Sequence, residues 1–181
     1  LQERLDALQG LRTGILRIAA VSTAKYFAPG ILAAFDAEHP GIAVRLTVGN
    51  RAAVLRRLAD NECDVAIMGR PPAEPPTDGA VFADHPLVMV AAPDHRFAGR
   101  TAIPLKDLAT QNFVMRERGS GTRASMEELF AAEELRYQTT MEADSNETIK
   151  QAVIAGMGIS FISAHTIALE VATKKLVILD V

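Results

Sequence analysis

GILRIAAVSTAKYFAPGILAAFDAEHPGIAVRLTVGN, residues 14–50, is the stretch from which the fold is read. GILRIAA has the apolar and β-branched content of a strand, and Ser22 and Thr23 close it. A helix is predicted from Phe27 to Glu38, with Ile31, Leu32 and Phe35 on one face. His39-Pro40-Gly41 stops it, since proline cannot continue a helix and glycine turns freely. In IAVRLTV the alternating Ile42, Val44, Leu46 and Val48 point to one side of a second strand.

Downstream the scheme continues. Gly49-Asn50 leads into a helix carrying Val54, Leu55 and Leu58, and Asp64–Gly69 reads as a buried strand. The first unit is therefore β-α-β-α-β. Four prolines between Pro71 and Gly79 make a loop. PLVMVAAP is a strand, and a short helix follows Pro104. A second unit then runs strand NFVMR, helix Thr122 to Glu134, strand YQTTMEA, helix from Ser145 to Gly156, and strand GISFIS. A helix near His165 to Thr173 precedes a last strand, KLVILDV. Alternating strands and helices imply a mostly parallel sheet with helices on both faces, here in two lobes. Upstream, Leu1, Leu5, Leu8 and Leu11 have helical spacing, which Gly10 and Gly14 end.

Composition sets limits on function. The 181 residues carry a net charge of −3. A domain that gripped DNA by itself should be basic, because such binding neutralises phosphates. Cys63 is the only cysteine, so no intrachain disulfide can form, and a reducing cytoplasm is the expected compartment. The longest apolar stretch, about Ala152 to Ala164, is broken by Gly156 and Gly158 and falls short of the ~20 residues of a membrane helix. No membrane association is expected.

In open α/β sheets ligands bind beyond the carboxyl ends of the strands. The polar residues at those points are Ser22 and Thr23, Asn50 and Arg51, Arg70, the run RERGSGTR (116–123), and Asp144, Ser145 and Asn146. Several stand at helix starts, where unpaired amides and the helix dipole attract anions. Arg51, Arg70, Arg116 and Arg123 would suit a carboxylate or phosphate. Singly, each of these residues is more often a helix cap or a solvent-facing arginine. GSGT is neither a Walker A loop nor a dinucleotide fingerprint, and Arg118 stands where a nucleophile elbow has its first glycine. A glycine-flanked serine before a helix is a generic anion cradle. His39, His85, His95 and His165 do not fall at metal-ligand spacing, and Asp64 reads as the polar opening of a strand. With no catalytic constellation, an enzyme, a cofactor or a metal centre is not expected.

The order and spacing of these motifs resemble the effector-binding domain of LysR-type transcriptional regulators. The likeness runs through residues 14–50, through LRRLADNECDVAIMGRPP (55–72) and through AGMGISFIS (155–163). STAKYFAP, VGNR, IMGRPP, FADHPLVMVAAPDH, RERGSGTR and SNETIKQAVIAGMGISFIS are similar to the regulators of RuBisCO (carbon-dioxide-fixation) operons.

The resemblance implies an α/β fold of two Rossmann-like lobes with a central cleft, like type II periplasmic binding proteins. Residues 1–13 would end a linker helix. Residues 14–84 plus 165–181 would form lobe I and 85–164 lobe II. A small anionic effector would lie in the cleft, held by Ser22, Thr23, Asn50, Arg51, Arg70, Arg116, Ser120, Gly121, Thr122, Arg123 and Asn146. It would be a phosphorylated Calvin-cycle or photorespiratory intermediate, or NADPH. The partners implied are a homodimer or homotetramer, through Phe27–Glu38 and Ile42–Val48, and DNA only through an N-terminal winged helix-turn-helix domain absent from this chain. The alternative is a stand-alone periplasmic-type solute-binding protein, which would share the fold.

Overall fold

Strand β1 (Gly14–Val21) lies between β2 (Ile42–Gly49) and β3 (Val65–Ile67), parallel to both. The computed structural model describes residues 13–74 and 76–181, so the helix expected over Leu1–Leu11 lies outside the described residues. Two helices link the strands: α1 (Ala28–Glu38), entered through a 3-10 turn at Ala24–Tyr26, and α2 (Arg51–Ala59). Ala20, Ala24 and Ala28 pack together beneath Phe27, Leu46 and Ile67, and their small side chains let the helix start approach the sheet closely. The apolar face predicted for α1 is only partly covered: Ala28 is buried, while Ile31 is 47% exposed.

The strand expected to be buried over Asp64–Gly69 is shorter and lies at the sheet edge. β3 pairs with β1 alone, which leaves Val65 47% exposed. Asp64 is held by Arg17, whose backbone N–H and guanidinium both donate to its carboxylate, at 2.8 and 2.9 Å. Those hydrogen bonds keep the Asp64 carboxyl below the ordinary carboxylate pKa.

The chain divides after Val81 into two compact units. In the second, β4 (Leu87–Ala91) pairs antiparallel with both β7 (Ser160–Ser163) and β8 (Val177–Ile178). β5 (Asn112–Arg116) runs parallel to β6 (Gln138–Ala143), and a single parallel bridge joins Phe113 to Ile159. The mostly parallel sheet predicted from the alternating pattern therefore holds for the first unit but not for the second, which is mixed. Residues 165–181, expected to complete the first unit, belong to the second. The physical reason is burial: Ile167, Leu176 and Leu179 lie in its core, and β8 takes a free edge of β4.

Four helices complete this unit: α3 (Leu105–Leu108), α4 (Gly121–Ala132), α5 (Asn146–Ile154) and α6 (Ala168–Ala172). Alternation along β4 and β5 sends Met89, Phe113 and Met115 into a core with Met126 and Phe130 of α4. Val90 and Val114 go into another, with Ile149 and Val153 of α5. Phe113, Phe130 and Tyr137 meet edge to face, with centroids 5.3–5.6 Å apart. Among the described residues, no helix is long and apolar enough to cross a membrane.

After β4 the chain turns at His95, whose Nδ1 accepts the backbone N–H of Phe97 at 3.3 Å. That bond requires an unprotonated Nδ1. Burial, then the neighbouring Arg96, hold the His95 pKa below its ordinary value. A folded pKa depressed in this way gives stability that is full above the unfolded value, about 6.5, and falls as pH drops through the folded one. Urea unfolding at pH 7.5 and pH 5 is expected to show a smaller loss in His95→Gln than in the parent; equal losses would contradict this account.

Candidate anion-binding site

β5 and β6 are neighbouring parallel strands, and each runs directly into the start of a helix. Arg116 ends β5 opposite Ala143 of β6. α4 begins five residues after Arg116 and α5 three residues after Ala143. The N-termini of both helices therefore stand at the carboxyl ends of adjacent strands, where a ligand would meet their amides.

The side chains there are buried and polar. Arg116, Ser120, Thr122 and Asn146 are 3, 5, 6 and 1% exposed. The Arg116 guanidinium donates to both Glu117 carboxylate oxygens, from Nε at 2.8 Å and Nη2 at 3.0 Å. Its Nη1 donates to Asn146 Oδ1 at 2.6 Å. Ser120 precedes α4 without capping it: its hydroxyl accepts no amide of the first turn. α5 differs, because Ser145 Oγ accepts the Thr148 N–H. Asn146 Nδ2 is buried and has no hydrogen-bond partner among the described residues. An unsatisfied buried donor costs about 1–3 kcal/mol, and a bound acceptor would remove that cost.

The structure sorts the remaining sequence candidates. Gly121 is the first residue of α4, followed by the buried Thr122. Arg123 is bound up inside the unit: Nε donates to Glu127 at 2.7 Å, and Nη1 to Glu142 and to the Arg116 carbonyl. The Glu127 hydrogen bond, with Glu142 adding to it against burial, holds the Arg123 pKa above its ordinary value. In the first unit Thr23 is 5% exposed beside Ser22 at the end of β1. Asn50 is a helix cap, its Oδ1 accepting the Ala53 N–H at 2.9 Å. Arg51 donates to the Arg70 carbonyl at 2.7 Å, and the Arg70 side chain is exposed.

Two contributors were not singled out in the sequence. Glu117 adjoins Arg116 in the sequence, yet nothing in the order of residues says that the two side chains meet. Lys150, one helical turn after Asn146, is 3% exposed and donates to Glu147, Glu170 and the Thr166 carbonyl. A lone lysine among the apolar residues of a helix was the available signal. Among the described residues, no group of three His, Cys, Asp or Glu side chains is placed to hold a metal ion.

Residues 9–181 match the LysR substrate binding domain family. The whole chain aligns at 51% identity with 58% of the HTH-type transcriptional regulator CbbR of Rhizobium meliloti (strain 1021). It aligns at 46% identity with 60% of the RuBisCO operon transcriptional regulator of Allochromatium vinosum. The chain thus spans less than two thirds of these relatives. The regulatory domain of Synechocystis PCC6803 CcmR, solved in complex with 2-PG, is 43% identical. It superimposes with a TM-score of 0.89, over 93% of this chain and 81% of that one. These likenesses agree with the α/β fold of the type II periplasmic-binding kind expected from the sequence.

Proposed function

This chain belongs to the LysR family as its substrate-binding domain, and we propose on that basis that it senses a small phosphorylated metabolite and thereby regulates transcription of carbon-fixation genes. The observation that carries the reading is the uncapped start of α4 and the buried amide NH2 of Asn146, unpartnered among the described residues, at the start of α5; the two helices follow the adjacent strands β5 and β6. The 43%-identical Synechocystis domain, solved with 2-PG, supports a phosphorylated acid such as 2-phosphoglycolate. Ribulose bisphosphate and NADPH share the phosphate chemistry. In the proposed site of the second unit Ser120, Gly121 and Thr122 supply amides and hydroxyls; Ser22, Thr23, Asn50, Arg51 and Arg70 are the first unit's own candidates for contacting an anion.

The effector acts by differential affinity for two conformational states, which is the only way a ligand shifts such an equilibrium. The protein pairs as a homodimer or homotetramer through the incompletely covered face of α1, works in the cytoplasm, and reaches DNA through a separate helix-turn-helix domain. The relatives are transcriptional regulators, which disfavours the reading as a transporter's solute-binding protein.

Thermal melting against ribulose 1,5-bisphosphate, 2-phosphoglycolate, phosphoenolpyruvate, ATP, NADPH and non-phosphorylated acids tests the reading. A ligand at about 100 times its Kd stabilises the fold by roughly 2.7 kcal/mol, a shift of several degrees. A shift with a phosphorylated compound that Thr122→Ala reduces is the expected result. A shift with plain carboxylates alone would refute the phosphorylated effector.

A further inference from the structure

An arginine can only donate hydrogen bonds, so the Asn146 atom 2.6 Å from Arg116 Nη1 must be the amide oxygen. The orientation of the Asn146 amide is thereby fixed, and its NH2 group is the end left buried without a partner among the described residues. Arg116 meanwhile lies against the Glu117 carboxylate through two parallel hydrogen bonds, which neutralises its charge locally. The charge at this site is therefore already paired, and the donor left without a partner among the described residues is the neutral Asn146 amide.

Resting on the reading above, we infer that Asn146 Nδ2 donates directly to an oxyanion of the effector. Recognition at this point then runs through neutral donors, the Asn146 NH2 and the first amides of α4, rather than through an arginine–anion ion pair. This has a specific chemical consequence. Asn146→Asp keeps an oxygen facing Arg116 and places a negative charge in the first turn of α5, where the helix dipole favours it. The oxygen facing Arg116 is retained, while the NH2 donor is replaced by a second carboxylate oxygen that repels an anion.

The test measures 2-phosphoglycolate binding to the parent chain and to Asn146→Asp by calorimetry, with glycolate as the non-phosphorylated probe. In parallel, the Asn146 side-chain NH2 signals of the 15N-labelled parent are followed by NMR during the titration. The expected result is a loss of affinity of about 100-fold or more in Asn146→Asp, since like charges brought together at a binding site are strongly disfavoured. Its ligand-free melting temperature falls, because the added carboxylate is buried beside an arginine already paired with Glu117, so binding is measured well below it; the parent's NH2 signals move on binding. Retention of affinity within about 3-fold, or NH2 signals that stay still while others move, overturns the inference. If Asn146→Asp does not fold, the NMR titration of the parent decides alone. If the parent binds glycolate but no phosphorylated compound, and binding still requires the Asn146 donor, the phosphorylated reading falls and this inference stands. If it binds no oxyanion, both fall.

Discussion

Gly158→Ala is expected to destabilise the chain by about 3 kcal/mol or more, lowering its melting temperature by roughly 6–12 °C. Gly158 has φ +149°, a conformation that L side chains rarely adopt. An added Cβ would stand 2.3 Å from the carbonyl oxygen of Asn112 and 2.9 Å from its carbonyl carbon. These are backbone atoms and cannot swing aside. The same oxygen accepts the Ile159 N–H at 2.9 Å, so relieving the clash would break the bridge that joins Phe113 to Ile159. Gly156 supplies the control. It also has positive φ, +80°, but nothing lies within 4 Å of its Cβ position, so Gly156→Ala carries only the backbone strain, about 1–2 kcal/mol. Equal melting temperatures for the two variants would refute the steric argument.

Lys150→Met is expected to cost about 3–5 kcal/mol, because it leaves carboxylates without their counter-charge in a buried setting. Lys150 Nζ lies 2.9 Å from Glu147 and 2.8 Å from Glu170, and donates to the Thr166 carbonyl at 2.9 Å. Glu170 is largely buried, and its Oε2 has no hydrogen-bond partner among the described residues. The double variant Lys150→Met/Glu170→Leu is expected to recover much of the loss, since replacing both partners of a buried pair with apolar groups is often close to neutral. Burial pulls the ammonium pKa down, but the hydrogen-bonded Glu170 and Glu147 carboxylates outweigh it, and the pKa lies above its ordinary value. A raised folded pKa gives stability that is full below the unfolded value, about 10.4, and lost as pH rises through the folded one. The loss seen in the single variant should therefore shrink in strongly alkaline urea titrations. A single variant as stable as the parent at pH 7 would show that the pair contributes nothing.

Much of this architecture is legible because strand and helix periods are local. NFVMR is a strand over the residues read from the sequence, and GILRIAA is one with a single residue added. Long-range pairing is not local. Nothing in KLVILDV says whether it joins the first or the second unit; only the competition of sheet edges for its Leu176 and Leu179 decides that. The site shows the same division. The helix starts read at about Thr122 and at Ser145 fall within one residue of the first residues of α4 and α5, because helix beginnings have a chemical signature. The partners of each arginine do not. Arg116 and Arg123 look alike in RERGSGTR, yet one reaches Asn146 across the strand ends and the other is tied to Glu127 and Glu142.

The pairing of β4 with β8 bears on the order in which the chain can fold during its synthesis. Among the described residues, the strand pairs of the first unit lie within residues 14–67, so they can form while the rest is still being made. β4 must wait: Val90 meets Ile178, the Met89 carbonyl accepts the Leu179 N–H, and the Ile103 N–H reaches the Asp180 carbonyl. One edge of β4 therefore stays open until Val177 and Ile178 have left the ribosome. Closing such distant contacts is slow, and an open strand edge is prone to pairing with other chains. Nascent chains halted before residue 176 should accordingly carry an aggregation-prone second unit.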